Sequence, residues 1–216
     1  MRLTPLVGAL IATIALPSAV SAEVVTSKKL AAMSPADFHA RSVVDADPLE
    51  FHTTISTERA FRDKAAAGTV WSDAHLRAVV DRQTGATRYE VRKAIRYFGP
   101  RRDFQTAHYA AGSELRRAAL TIAEHGANVC PNSDYSAECQ MTKTLAFPID
   151  ESVLREVAAS YRPGDRRGWG FKLKDVAGND VDGAIAPAEA AGLLQAVGDY
   201  RAKLGTKVAS ASASSL

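Results

Sequence analysis

The chain has 216 residues, 46% of them hydrophobic and 24% charged, with a formal net charge of +3. That length suffices for one domain with a sizeable core and hardly for two. A charge so close to balance argues against nucleic-acid binding.

Residues 1–22 read as a secretory signal peptide. Arg2 supplies the positive start, Leu6 to Leu16 form an apolar run too short to cross a bilayer, and Val20-Ser21-Ala22 offers small residues for cleavage before Glu23. No later stretch approaches the length of a membrane span, and no cysteine stands at the cleavage site to carry a lipid anchor. The expectation is a soluble periplasmic or secreted protein with no transmembrane segment in the mature chain.

Residues 23–33 are expected to form a flexible N-terminal segment, 34–204 a single globular domain, and 205–216, ending Ala-Ser-Ala-Ser-Ser-Leu, a disordered tail. Ser34-Pro35-Ala36-Asp37 opens a short helix with a cap, a proline in the first turn and an early acid, followed by apolar Phe38, Val43 and Val44. Glu50 to Ser56 is a strand candidate. Leu76, Ala78 and Val80 also alternate, Asp81-Arg82-Gln83-Thr84-Gly85 supplies a turn, and Tyr89, Val91, Ile95 and Tyr97 alternate with Arg88, Glu90, Arg92 and Arg96. This period of two predicts a hairpin over about 75–98, with Gly85 in the left-handed conformation.

Further strands are expected at Phe104 to Ala111, Met141 to Phe147 and Trp169 to Val176. Leu115 to Glu124 fits a helical stripe or a strand, and its neighbours favour the strand. Asp150 caps a helix with Val153, Leu154, Val157 and Ala158 inward, and a second helix runs from Pro187 to about Leu204. Strands crowded in the middle, with helices towards the ends, do not alternate as βαβ units do. The fold class expected is α+β, predominantly an antiparallel β sheet or sandwich with flanking helices.

Cys130 and Cys139 are the only cysteines. In an oxidising compartment their eight-residue separation, filled with turn formers, predicts one disulfide worth roughly 2–3 kcal/mol. Between Arg77 and Arg102 stand eight basic residues and two acidic ones, Asp81 and Glu90. Arg88, Arg92 and Arg96, extended by Arg101 and Arg102, are a candidate cationic surface for an anionic envelope component, set against the alternative of a solvated strand face.

The segment from Gly178 to Glu189 matches an EF-hand loop at positions 3, 5, 6 and 12, with Asp180, Asp182 and Glu189 as calcium ligands. Gly178 in place of aspartate and an incoming strand instead of a helix argue for a plain acidic turn. Trp71, Trp169 and Phe171 are candidates for an aromatic groove, with core packing the simpler expectation. No catalytic residue is assigned. There is no nucleophile elbow, metal-binding helix motif or phosphate loop, and the histidines at 39, 52, 75, 108 and 125 lack ligand spacing. No cofactor is expected. The reading is an exported interaction or structural module, whose partner would be another envelope protein or an anionic envelope component. The alternatives are a small exported hydrolase built from dispersed His, Asp and Ser residues, or a calcium-binding envelope protein.

Overall fold

Period-two alternation builds the larger of two antiparallel sheets. The computed structural model describes residues 23–61, 72–126 and 139–213. β2 (Val43–Asp45), β3 (His52–Ser56), β4 (Ser72–Asp81), β5 (Thr87–Phe98), β8 (Ile122–His125) and β9 (Gln140–Ile149) form a six-stranded sheet in the order β2-β3-β4-β5-β9-β8. β4 and β5 are the expected hairpin, pairing from Ser72 opposite Ile95 to Val80 opposite Thr87. Gly85 closes the turn at φ +71°, as its position demanded. Asp81 Oδ1 accepts from the backbone N–H groups of Gln83 (2.9 Å) and Thr84 (2.8 Å). These bonds, that of Thr84 foremost, hold the Asp81 carboxyl below the usual carboxylate range.

The second sheet is centred on β10 (Arg167–Asp175), which pairs with β1 (Glu23–Val25), β6 (Phe104–Ala111) and β11 (Val181–Ile185), while β6 also pairs with β7 (Glu114–Ala119). The segment from Leu115 to Glu124 is strand, as its neighbours suggested, but it divides between two sheets. β7 belongs to the five-stranded sheet and β8 to the six-stranded one. The chain crosses at Leu120 and Thr121, whose N–H groups donate to Gln105 O (3.1 Å) and Ala146 O (2.8 Å) on opposite sheets. The two apolar faces meet through aromatic rings. Tyr109 stacks on Phe147 at 5.7 Å between centroids, and Phe147 meets Phe171 edge-on at 5.2 Å.

The helices flank these sheets, which makes the fold predominantly antiparallel α+β. In α2 (Pro35–Arg41), Ser34 and Asp37 form a reciprocal capping box and Phe38 is fully buried. α3 (Glu151–Ala159) buries Val153, Leu154 and Val157. Asp150 holds its cap position without a side-chain cap bond and accepts instead from Arg116 Nη1 at 2.8 Å. α4 (Pro187–Ala213) buries Leu193 and Val197 and lies on the inner side of β3 and β4, with Tyr200 Oη 2.6 Å from Thr53 Oγ1. α2 crosses it at Gly192, where a Cβ would stand 2.5 Å from Phe38 Cβ and 2.7 Å from Pro35 O. Only hydrogen fits that crossing.

Three local expectations are corrected. Val43 and Val44 do not continue the first helix but form β2, because two adjacent β-branched residues pair readily with Ile55 and Ser56. Residues 23–33, expected to be flexible, contain β1 and a single-turn helix α1 (Lys28–Ala31) capped by Ser27. Backbone pairing at long range orders them, as in Thr26 N–H to Arg166 O at 2.8 Å. The last helix continues past 204 to Ala213 through residues rich in alanine, the strongest helix former.

Candidate functional site

The arginine-bearing face of the hairpin follows from strand phase. In β5, Tyr89, Val91, Lys93, Ile95 and Tyr97 are buried, so Arg88, Glu90, Arg92 and Arg96 point the other way. Register places Arg77 of β4 directly opposite Glu90, and Thr142 of β9 opposite Arg96. Glu90 lies between two of the arginines, 3.6 Å from Arg77 Nε and 3.5 Å from Arg92 Nε. Arg88 and Arg96 are exposed. The structure therefore brings Arg88, Arg92 and Arg96 together and adds Arg77. It does not carry Arg101 and Arg102 onto the same row. Arg102 stands 4.7 Å over the ring of Tyr97, which belongs to the buried phase, and Arg101 lies against His125. Gly99-Pro100 redirects the chain between the two groups.

The proposed calcium ligands diverge. Asp180 is bonded to Lys174 and accepts from Asp175 N at 3.2 Å, while Asp182 is a residue of β11 whose carboxylate is 3.6 Å from Lys172. Gly183 is a strand residue pressed against Phe171, not a loop turn. Glu189 is buried elsewhere. Among the described residues no group of three or more His, Cys, Asp or Glu side chains is arranged to hold a metal ion. Alternation of Val181, Gly183 and Ile185 favours a strand, and with that extended strand between them Asp180 and Glu189 do not close on one ion.

Cys130 and Trp71 lie outside the described residues. Cys139 directly precedes β9. Trp169 packs on Tyr109 at 5.4 Å, donates from Nε1 to Ala110 O at 2.9 Å, and also walls a cleft; Phe171 is core. His39 pairs with Asp199 at 2.9 Å on an exposed surface, and His52 stands 3.8 Å from Glu50. Among the described residues, neither histidine is bonded to a Ser, Thr or Cys side chain.

Two cavities flank the short segment from Thr26 to Leu30, which lines both. The larger, about 440 Å³, opens between α1, α3 and the start of β10, with Val153 and Val157 beneath and Arg162, Asp165 and Arg167 around it. Its size is that of a small-ligand pocket. Arg167 is already engaged by Asp165, Nε to Oδ2 at 2.7 Å.

The smaller cavity, about 180 Å³, holds the chemistry that sequence reasoning missed. Its lining includes Thr57, Asp73, Lys93 and Glu189. Glu189, in the first turn of α4, is 4% exposed. Its Oε1 accepts from the Thr57 hydroxyl at 2.5 Å and from Leu76 N–H at 3.1 Å, closing the end of the β3–β4 ladder. Burial raises its carboxyl to about 8, against the lowering effect of these bonds and helped by the charge of Asp73. Lys93 is also 4% exposed, its Nζ 5.8 Å from the Phe171 ring centroid. Burial pulls its ammonium down to about 8, opposed by Asp73 and Asp182. Both residues carried a sequence signal. Lys93 occupies the apolar phase of β5, and Glu189 precedes Leu193 and Val197 at helical spacings of four.

A second lysine, Lys143, repeats the pattern. It shares the phase of Leu145, Phe147 and Ile149, is 2% exposed, and stands 5.6 Å from the Phe104 ring centroid. No cavity adjoins it among those described.

No protein-family model matches this sequence, and neither the curated proteins nor the solved structures contain a significant match to it.

Proposed function

We propose that this protein is an exported cell-envelope module that acts by binding, released from its signal peptide before Glu23 and seated on phosphate-bearing lipid headgroups through the arginine face of the β4–β5–β9 sheet. The observation that carries this reading is the common outward phase of Arg77, Arg88, Arg92 and Arg96, against which β5 sets the single acid Glu90. Guanidinium groups pair with phosphate oxygens in a planar, bidentate manner, so an arginine row suits this chemistry better than an equal row of lysines. The neighbouring strand contributes Thr142 and Thr144, which add hydroxyl donors without negative charge. α4 occupies the opposite, apolar side of the sheet.

The test is sedimentation of the mature protein with vesicles of phosphatidylcholine containing phosphatidylglycerol. Association that weakens with salt, and is lost in the triple variant Arg88→Glu, Arg92→Glu, Arg96→Glu, supports the reading. Equal association of the folded variant, or none by the wild type at low salt, overturns it.

A further inference from the structure

The larger cleft shares no residue with the arginine row, and it joins an aromatic wall, an apolar floor and open polar groups in one place. Trp169 forms the wall. Its indole Nε1 donates to Ala110 O at 2.9 Å and its ring packs on Tyr109 at 5.4 Å, so the half-buried ring is held in one orientation while lining the cleft. Val153 and Val157, both buried, make the floor from α3. Glu156 of the same helix is exposed, and its Oε1 stands 3.9 Å from the place a Cβ would take on Gly112, two residues beyond the carbonyl that fixes the indole. Carboxylate and aromatic ring therefore flank the same part of the cleft.

The charges around this space cancel, because its lining holds two acids, Glu156 and Asp165, and two arginines, Arg162 and Arg167. Arg167 is paired with Asp165, its Nε at 2.7 Å and its Nη2 at 2.5 Å from one carboxylate oxygen. Arg162 turns Nη1 onto the carbonyls of Ala159 (3.3 Å) and Tyr161 (2.7 Å). Among the described residues, no hydrogen bond or ion pair engages the Glu156 carboxylate or the Tyr161 hydroxyl.

We propose that this cleft binds a neutral sugar ring, stacked by its C–H face on Trp169 and bonded through its hydroxyls to Glu156 and Tyr161. A sugar hydroxyl both donates and accepts, so it needs a rim that does both. A carboxylate accepts, a guanidinium donates and a phenol does either. The weakly positive C–H groups of the ring suit the negative face of an indole, and the bonds to Glu156 are charge-assisted. An organic cation would also suit an indole beside a carboxylate, but Arg162 and Arg167 line the same space and oppose it. The volume of about 440 Å³ corresponds to roughly fifteen waters, which is room for a sugar ring with its hydroxyls.

Saturation-transfer NMR on the full mature protein tests this, with methyl β-glucoside, methyl β-galactoside and N-acetylglucosamine as separate probes and tetramethylammonium and acetate as charged controls. Saturable transfer to at least one sugar, strongest at its ring C–H protons and weakened roughly fivefold or more in Glu156→Gln, is the expected result. Glutamine matches glutamate in helix propensity, so the exposed substitution leaves α3 intact. In wild-type protein the Trp169 indole N–H resonance should move during the titration. An unmoved Trp169 resonance, undiminished binding by Glu156→Gln, transfer to a charged control as strong as to any sugar, or transfer to none of the sugars overturns the proposal.

Discussion

Glu189 Oε1 lies 2.5 Å from Thr57 Oγ1, and through this contact the first turn of α4 is bonded to the residue that follows β3. The two residues are 132 positions apart. The carboxyl takes the place of a strand partner, because Leu76 N–H bonds to Glu189 at 3.1 Å and to Thr57 Oγ1 at 3.0 Å instead of to a backbone carbonyl.

That arrangement gives stability a pH dependence of definite sign. The Glu189 carboxyl is raised from 4.5 to about 8 by burial, so the unfolded chain loses this proton before the folded one does. The stability associated with it is fully present below 4.5 and falls as pH rises towards 8. Urea midpoints of Glu189→Gln should be flatter than wild type over this window and higher above it. Glu189→Ala, which strands Leu76 N–H, should cost about 1–3 kcal/mol at pH 5.

Lys93 behaves in the opposite sense. Its ammonium is depressed from 10.5 to about 8, so its contribution is present above 10.5 and lost as pH falls through 8. Lys93→Met removes a desolvated charge and keeps the side-chain volume. At pH 7 this variant should be more stable by roughly 1–3 kcal/mol in urea titration. A loss of stability would mean that the ammonium is well paired in solution.

Gly183 admits no side chain. A Cβ there would stand 2.3 Å from Phe171 Cζ, and the ring is held by Phe147 at 5.2 Å and Trp169 at 6.1 Å. Gly183→Ala should lower stability by about 1–3 kcal/mol, read as a shift in thermal midpoint. The pairing of Gly183 with Phe171 puts this strain at the seam between the sheets.

The export reading makes a mass prediction. Protein recovered from its own compartment should begin at Glu23 and, with Cys130 joined to Cys139, weigh two hydrogens less than the reduced mature chain. Non-reducing intact mass spectrometry checks both. Cys139→Ser should then cost about 2–3 kcal/mol, and no stability at all if the thiols are free.

Local signals carried far into the fold. The alternation of Tyr89, Val91, Ile95 and Tyr97, the left-handed Gly85 and the capping box of Ser34 and Asp37 each act within a few residues, so the sequence alone determines them. The same phase placed Arg88, Arg92 and Arg96 on one face. It also contained Lys93, whose charge hides an inward position from any reading that equates charge with exposure.

What the tertiary structure alone decided involves partners far apart along the chain. Glu189 reads as an ordinary first-turn acid until Thr57 and Leu76 surround it. β1 has three residues and no pattern of its own; its order comes from pairing with Arg167, Gly168 and Trp169. The division of β7 and β8 between two sheets depends on Gln105 and Ala146 waiting on either side. Propensity and periodicity are short-range properties of a chain, whereas burial is a property of the assembled whole, and burial is what turned Lys93 and Glu189 from expected surface charges into interior groups.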